Sequence, residues 1–335
     1  MIYEYAIDPE FIFKLADQTL IANILHTNIG YGTPFVIAGY PNKLGYETRA
    51  IAKNAEAQAT DQKLKARAQL RLHRTEDLAA KLAGPAAAAT KRYNAGEWNG
   101  RFDDEHSRFP FQGVLSGSNS AAASGLPFHD VDWFSKPDCH ILNCPRSLIV
   151  QRTAQGLCEA LKPMLQNASI IKFIDPYFNP NTRNSRFVVP FSEYFKCISE
   201  ANHVRIQDNN REIQIICAVN QGTNDNSTSE QFASDCKNIL SPGLPKGVTL
   251  RLHRFKEKVG GQEIHNRYIL TDIGGVLFGH GTDSSPADSY DDICLLDRDS
   301  FFRWNAAYEP NSKDFDWSEP CIEINSTSGV SHAAR

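Results

Sequence analysis

No stretch of the 335-residue chain approaches the run of about 18 apolar residues that a membrane-crossing helix requires. The first residues, Met1-Ile2-Tyr3-Glu4-Tyr5, lack the basic segment and apolar core of a secretory signal. A cytoplasmic protein with no membrane contact is therefore expected. Eight cysteines are present but not at framework spacing. Cys158, Cys197, Cys217, Cys236 and Cys294 sit inside apolar patterns, as reduced core thiols do. The one close Cys/His group, Cys139-His140 with Cys144, lacks the second pair that zinc would want. Basic charge is not in excess either. A net charge of −4 argues against a surface covered in cations, while leaving room for a local basic groove.

What is present is ordinary globular material, 41% hydrophobic and 22% charged, and long enough for two domains. An alternating segment, Met1 to Ile7, precedes a helix expected from Pro9, with Phe11, Ile12, Leu15, Leu20, Ile24 and Leu25 as its apolar positions. A Gly/Pro-rich passage from Gly30 to Gly45 reads as loop, with a short strand at Phe35-Val36-Ile37. Residues 47–82 are the most helical stretch. Lys63, Lys65, Arg67, Arg71, Arg74 and Lys81 there form a basic helix that either follows a phosphate backbone or is a solvated face. The Ala-rich passage from Gly84 to Ala89 reads as a linker. From Tyr93 to Pro145 the composition turns to aromatics, Asp, Ser and Gly, with Trp98, Phe102, Phe109, Phe111, Phe128 and Trp133 as anchors to a core. Ser116 to Ala122 reads as a flexible loop, and His129-Asp130-x-Asp132 as a solvated turn rather than a metal cluster. No fold follows for this region.

A regular pattern begins after Cys144-Pro145. Val150, Ala154, Leu157, Leu161 and Leu165 predict a helix from Arg146 to Leu165, and Phe191, Tyr194, Phe195 and Ile198 mark another. Thr228-x-x-Gln231 can cap a third helix reaching Leu240. Strands are predicted at Ser169–Phe178, Arg211–Val219, Val248–Phe255 and Ile293–Leu296. Strand-helix alternation of this kind builds parallel crossovers on one sheet, whose ligands gather at the carboxyl ends of strands. Asp175, Tyr177, Asn220 and Gln221 are cleft candidates on that ground.

The segment from Gln262 to Gly279 carries the chemistry. His265 and Arg267, two apart on a predicted strand, would project to one side. Asp272 follows at the turn, and Gly274-Gly275 reverses the chain into Val276–Phe278. An imidazole beside a permanent planar cation suits a phosphate.

His265-x-Arg267 with Asp272 resembles the His-x-Lys-x-x-x-x-Asp signature of the phospholipase D superfamily. Ile174-Asp175-Pro176-Tyr177 resembles the strand end that opens such domains. The resemblance covers about 146–335 and departs from the family twice: Arg267 replaces the lysine, and Gly279-His280-Gly281-Thr282 replaces Gly-Ser-x-Asn. It implies an α/β fold, a phospholipase D-like mixed sheet flanked by helices over 146–335. A mainly helical or irregular N-terminal domain of unknown role would occupy 1–145.

The resemblance further implies catalysis without cofactor or metal by two histidines, one attacking phosphorus and one protonating the leaving oxygen. No second copy of the signature exists at His73, His129 or His140, so a homodimer pairing two His265 side chains is expected. His265, Arg267, Asp272 and Asp292 become the candidate catalytic residues, Asp272 read as a structural or supporting carboxylate and Asp291 the alternative to Asp292 as the acid that orients the histidine. His280, Thr282, Asp175, Tyr177 and Arg254 become candidate substrate contacts, though His280 also reads as a turn residue. The implied activity is a phosphodiesterase, a nuclease acting on DNA rather than RNA. Arg251, His253, Arg254, Lys256 and Lys258 either track the backbone or form an exposed strand face. Single-motif relatives of this type suggest anti-phage defence and a larger complex. The alternative is an inactive nucleic-acid-binding or assembly module.

Overall fold

The computed structural model describes residues 2–38, 44–83, 102–108, 111–117, 125–180, 185–200, 211–219, 227–263, 265–285, 288–317, 320–325 and 329–333. The chain divides into two compact units, one over Ile2–Pro145 and the other over Arg146–Arg335. Candidates Asn220 and Gln221, the anchors Trp98 and Phe109, and the segment from Gly84 to Ala89 lie outside the described residues. No described helix is long and apolar enough to cross a membrane.

Helices make up most of the regular structure described in the first unit, and a small sheet lies among them. That sheet is parallel and four-stranded, of order β2-β1-β3-β4, with β1 Tyr3–Ile7, β2 Phe35–Ile37, β3 Gly113–Leu115 and β4 Phe128–His129. Two of these strands have three residues and one has two, too short for alternation to register in sequence. The helix predicted from Pro9 is two, α1 Pro9–Leu15 and α2 Thr19–Asn28. Asp8 caps the first by accepting from the Glu10 N–H at 2.6 Å. Leu20, expected inward, is exposed. The long helical stretch likewise divides into α3 Leu44–Ala57 and α4 Gln62–Ala83, joined by an Arg49–Glu76 ion pair of 2.6 Å. Lys63, Lys65, Arg67 and Arg74 are solvent-exposed, whereas Arg71 lies over the Phe13 ring and pairs with Asp17. A short helix, α5 Phe102–Arg108, precedes β3, and α6 His140–Asn143 closes the unit. Asp130 accepts from the Trp133 N–H and His129 stacks on Trp133, so the His129-to-Asp132 segment is a turn.

The second unit holds a mixed ten-stranded sheet of order β14-β13-β8-β7-β6-β9-β10-β11-β5, with β12 also on β8. Its parallel centre is β6 Ile170–Ile174, β7 Glu212–Ala218 and β8 Thr249–Glu257. β9 Arg267–Thr271 runs antiparallel to β6 and turns into β10 Gly274–Phe278, which pairs with β11 Tyr290–Leu295. The helix predicted from Arg146 begins instead as an edge strand, β5 Ser147–Gln151, antiparallel to β11. Pairing with a distant strand overrides a local helical spacing there, and only from Thr153, whose hydroxyl accepts from Gly156 N–H, does α7 Ala154–Asn167 run. α8 Ser185–Glu200 buries Phe191, Tyr194, Phe195 and Ile198, and α9 Ser229–Leu240 is capped by Thr228. Beyond the last strand read from sequence lie α10 Arg298–Ala307, β12 Phe315–Trp317, β13 Cys321–Asn325 and β14 Gly329–Ala333.

Alternation gives the central sheet two aromatic faces. Phe173 on β6 meets Phe191 and Tyr194 of α8, at ring separations of 5.0 and 5.3 Å. On the other face Tyr268 of β9 meets Trp304 of α10 and, further along, Phe255 meets Tyr308. At the amino ends of the parallel strands, buried Arg211 donates to the carbonyls of Ala168, Leu165, Gln166 and Ile198 at 2.6–2.9 Å. One guanidinium thus satisfies the orphan carbonyls that end α7 and α8. Burial lowers its pKa to about 10, so it stays charged. Arg211→Met should leave those carbonyls unsatisfied and lower the unfolding free energy by about 3–5 kcal/mol. Urea denaturation is the check, and a loss below about 1 kcal/mol would show that the ends are held otherwise.

Candidate active site

One end of the second sheet collects the chemistry. β6 ends there, β9 begins, β10 ends and β11 begins. Asp175, two per cent exposed, follows β6 and binds both ways. Its Oδ1 accepts from the Tyr177 N–H at 3.0 Å, and its Oδ2 accepts from the N–H and hydroxyl of Thr282, each at 2.9 Å. Burial pushes the Asp175 carboxyl up, and the Thr282 and Tyr177 donors hold it down. Asp175 and Thr282 are thus a buried tie between a strand end and the loop after β10. They support the site and do not face a substrate.

Gly281 makes that tie possible. Its φ is +140°, and a Cβ there would sit 3.0 Å from Asp175 Oδ2 and 3.1 Å from Asp283 Oδ1. Asp283, also buried, pairs with Arg152 at 2.7 Å and with Arg186 at the start of α8. Neither arginine nor Asp283 was a candidate, because ion pairs between residues 97 and 131 positions apart leave no local signal.

His265 is not on the strand, which starts at Arg267; it is an exposed residue two positions before it. Its Nδ1 lies 3.0 Å from the Tyr177 hydroxyl. The Arg267 guanidinium lies over the same phenol ring, 4.6 Å from its centre. Tyr177, held by Asp175, therefore brings together the imidazole and the cation that strand alternation was expected to align. Arg267 Nε is buried without a hydrogen-bond partner among the described residues.

Of the acidic residues, Asp272 takes a structural place and Asp291, not Asp292, is the buried one. Asp272 accepts from the Ser169 and Ile170 N–H groups at 2.9 and 3.2 Å, at the opposite end of the five-residue β9 from Arg267. At about 3.4 Å per residue that is some 17 Å away. Asp272 is structural. Asp292 is exposed and points to the other side of β11 from Asp291. Asp291 is the buried acid, and it meets His280, not His265. Its carboxylate accepts the His280 backbone N–H at 3.1 Å and lies 3.2 Å from the ring Nδ1. Gly279 leaves room for it, since a Cβ there would be 2.7 Å from Asp291 Oδ1.

The basic run on β8 is largely spent on structure. Arg254 is buried over the Phe232 ring, and His253 is buried against Trp317 with its pKa lowered to about 4 by burial. Arg251 pairs with Glu212 and Glu323, and Lys258 with Asp316. Only Lys256 keeps the exposed face expected of the run. Among the described residues no group of three or more His, Cys, Asp or Glu is placed to hold a metal ion. No protein-family model and no curated protein matches the chain.

Burial raises the Asp272 carboxyl from its ordinary 3.8 to about 6, against the pull of the Ile170 and Ser169 N–H groups and Arg211. The folded protein holds this proton more tightly than the unfolded chain does. The contribution to stability is therefore full below about pH 4 and lost as pH rises through about 6. Asp272→Asn keeps an acceptor and removes the titration. Relative to that variant, wild-type stability should fall by about 3 kcal/mol between pH 4 and 7. Paired urea curves measure this, and a constant difference would contradict it.

Proposed function

We propose that the second unit is a phosphodiesterase of the phospholipase D type that hydrolyses nucleic acid, DNA rather than RNA, in the cytoplasm and without metal. The observation that carries this is the shared seat of His265 and Arg267 on Tyr177. When His265 Nδ1–H donates to the phenol oxygen, its Nε2 lone pair is left facing outward as the nucleophile. Arg267 supplies a planar set of donors to the non-bridging oxygens, and so stabilises the charge that builds as phosphorus is attacked. The position at the carboxyl end of β6 is where sheets of this kind receive ligands. The nucleic-acid substrate, a defence role and a larger complex rest on the resemblance of the signature. The reaction needs a second histidine. A two-fold dimer offers the partner subunit's His265; the same chain offers another, considered below.

A second reading, a phosphate-binding module without turnover, is favoured by two features. Arg267 stands where the signature has lysine, and a neutral phenol, rather than a carboxylate, backs His265. Labelled single- and double-stranded DNA and RNA, incubated in EDTA with wild type and His265→Ala, separate the two. Cleavage by wild type that falls at least about a thousand-fold in the variant is the expected result. Binding without cleavage in both proteins would support the module, and metal-dependent cleavage indifferent to His265 would refute the site.

A further inference from the structure

We infer that His280, held by Asp291, is the second catalytic histidine, acting in the same chain as His265. The inference rests on the phosphodiesterase reading above and changes its requirement for a dimer.

Three observations place His280 at the site. The β9–β10 hairpin pairs Arg267 with Phe278, and each step outward moves one residue down β9 and one up β10. His265 and His280 therefore leave the same end of the hairpin, each two residues beyond its last pair. Gly281, the next residue, packs against Arg267: a Cβ on it would lie 3.8 Å from Arg267 Cγ. The backbone of this loop is therefore fixed at the cation by the Asp175–Thr282 tie. Finally, the His280 side chain is 62% exposed while its Asp291 partner is 0% exposed, so the ring is reachable from solvent and anchored from below.

The two partners assign the two roles. A nucleophile needs a free lone pair, which Nε2 of His265 offers when its Nδ1–H donates to the Tyr177 oxygen. An acid must carry a proton and a positive charge before the step, and a buried carboxylate accepting from Nδ1–H is the partner such a ring needs. In the first step His265 Nε2 forms a bond to phosphorus. The bond from phosphorus to the leaving oxygen breaks, and that oxygen takes the Nε2 proton of His280. In the second step a water oxygen bonds to phosphorus as the phosphorus–nitrogen bond breaks. His280 Nε2 accepts the water proton, the phosphomonoester departs, and both rings return to their starting forms. Asp291 is a positioning residue that fixes the tautomer and direction of His280.

The test compares an oligonucleotide with thymidine 5′-(p-nitrophenyl) phosphate, whose nitrophenolate leaves without a proton, using wild type, His280→Ala, Asp291→Asn and His265→Ala in EDTA. His280→Ala should cut the oligonucleotide about 10²–10⁴-fold more slowly. It should still release about one equivalent of nitrophenolate per chain and then stall, with a phosphoryl adduct on His265 visible by intact mass. Asp291→Asn should lower kcat on the oligonucleotide with KM unchanged. His265→Ala should do neither reaction. Wild-type rates in His280→Ala, alongside an inactive His265→Ala, would overturn this inference alone and return the acid to the partner subunit's His265. Loss of the nitrophenolate burst in a folded His280→Ala protein would also overturn it. A wild type that turns over neither substrate and forms no adduct would overturn the phosphodiesterase reading with it.

Discussion

The site depends on one buried carboxylate. Asp175 accepts three hydrogen bonds from two segments more than a hundred residues apart, and so fixes where β6 ends relative to the loop after β10. A carboxylate taken from water is costly unless its lone pairs are met, and here they are. Through Tyr177 that bond seats His265 and Arg267. Through Thr282 it fixes the Gly279-to-Thr282 loop, which carries His280 over Asp291. The paired glycines follow from the same constraint. Each lies where a side chain would occupy the space of a carboxylate oxygen. Gly279-His280-Gly281-Thr282 is therefore a specific local structure, fitted around two buried carboxylates.

The two ends of the second sheet do different work with similar residues. At the amino ends of the parallel strands, Arg211 and Asp272 are consumed by backbone groups, the guanidinium by four carbonyls and the carboxylate by two N–H groups. Neither of these two groups is left to meet a substrate. At the carboxyl ends, His265 and His280 each spend one ring nitrogen on a partner and keep the other, and Arg267 keeps an unpartnered Nε among the described residues. Polar groups are consumed at one end and left unspent at the other, and spacing in the sequence does not report the difference.

Much of the second unit was legible because its cues are local. The parallel strands, the motif hairpin and the Thr228 cap depend on residues within one element or turn. The expectations that failed did so where partners lie far away in sequence or where an element is short. β5 reads as helix because its pairing with β11 is invisible in its own residues, and the strands of the first unit are too short to show a period. Asp291 and Asp292 are neighbours on a strand, so they face opposite ways, and only the register decides which is buried. The apparent basic track of Arg251, Arg254 and Lys258 dissolves for the same reason, since Glu323, Phe232 and Asp316 come from other elements. His265 and Arg267 do meet, but through a tyrosine supplied by the turn after another strand, not through alternation along their own.

The most direct test of the central claim is a crystal structure of the protein with vanadate, which adopts the five-coordinate geometry of phosphoryl transfer. The account predicts vanadium bonded to His265 Nε2, with the Arg267 guanidinium on its equatorial oxygens and His280 Nε2 within hydrogen-bonding reach of the oxygen opposite. Vanadate bound elsewhere, or bound with His280 turned away and the partner subunit's His265 in its place, would contradict it.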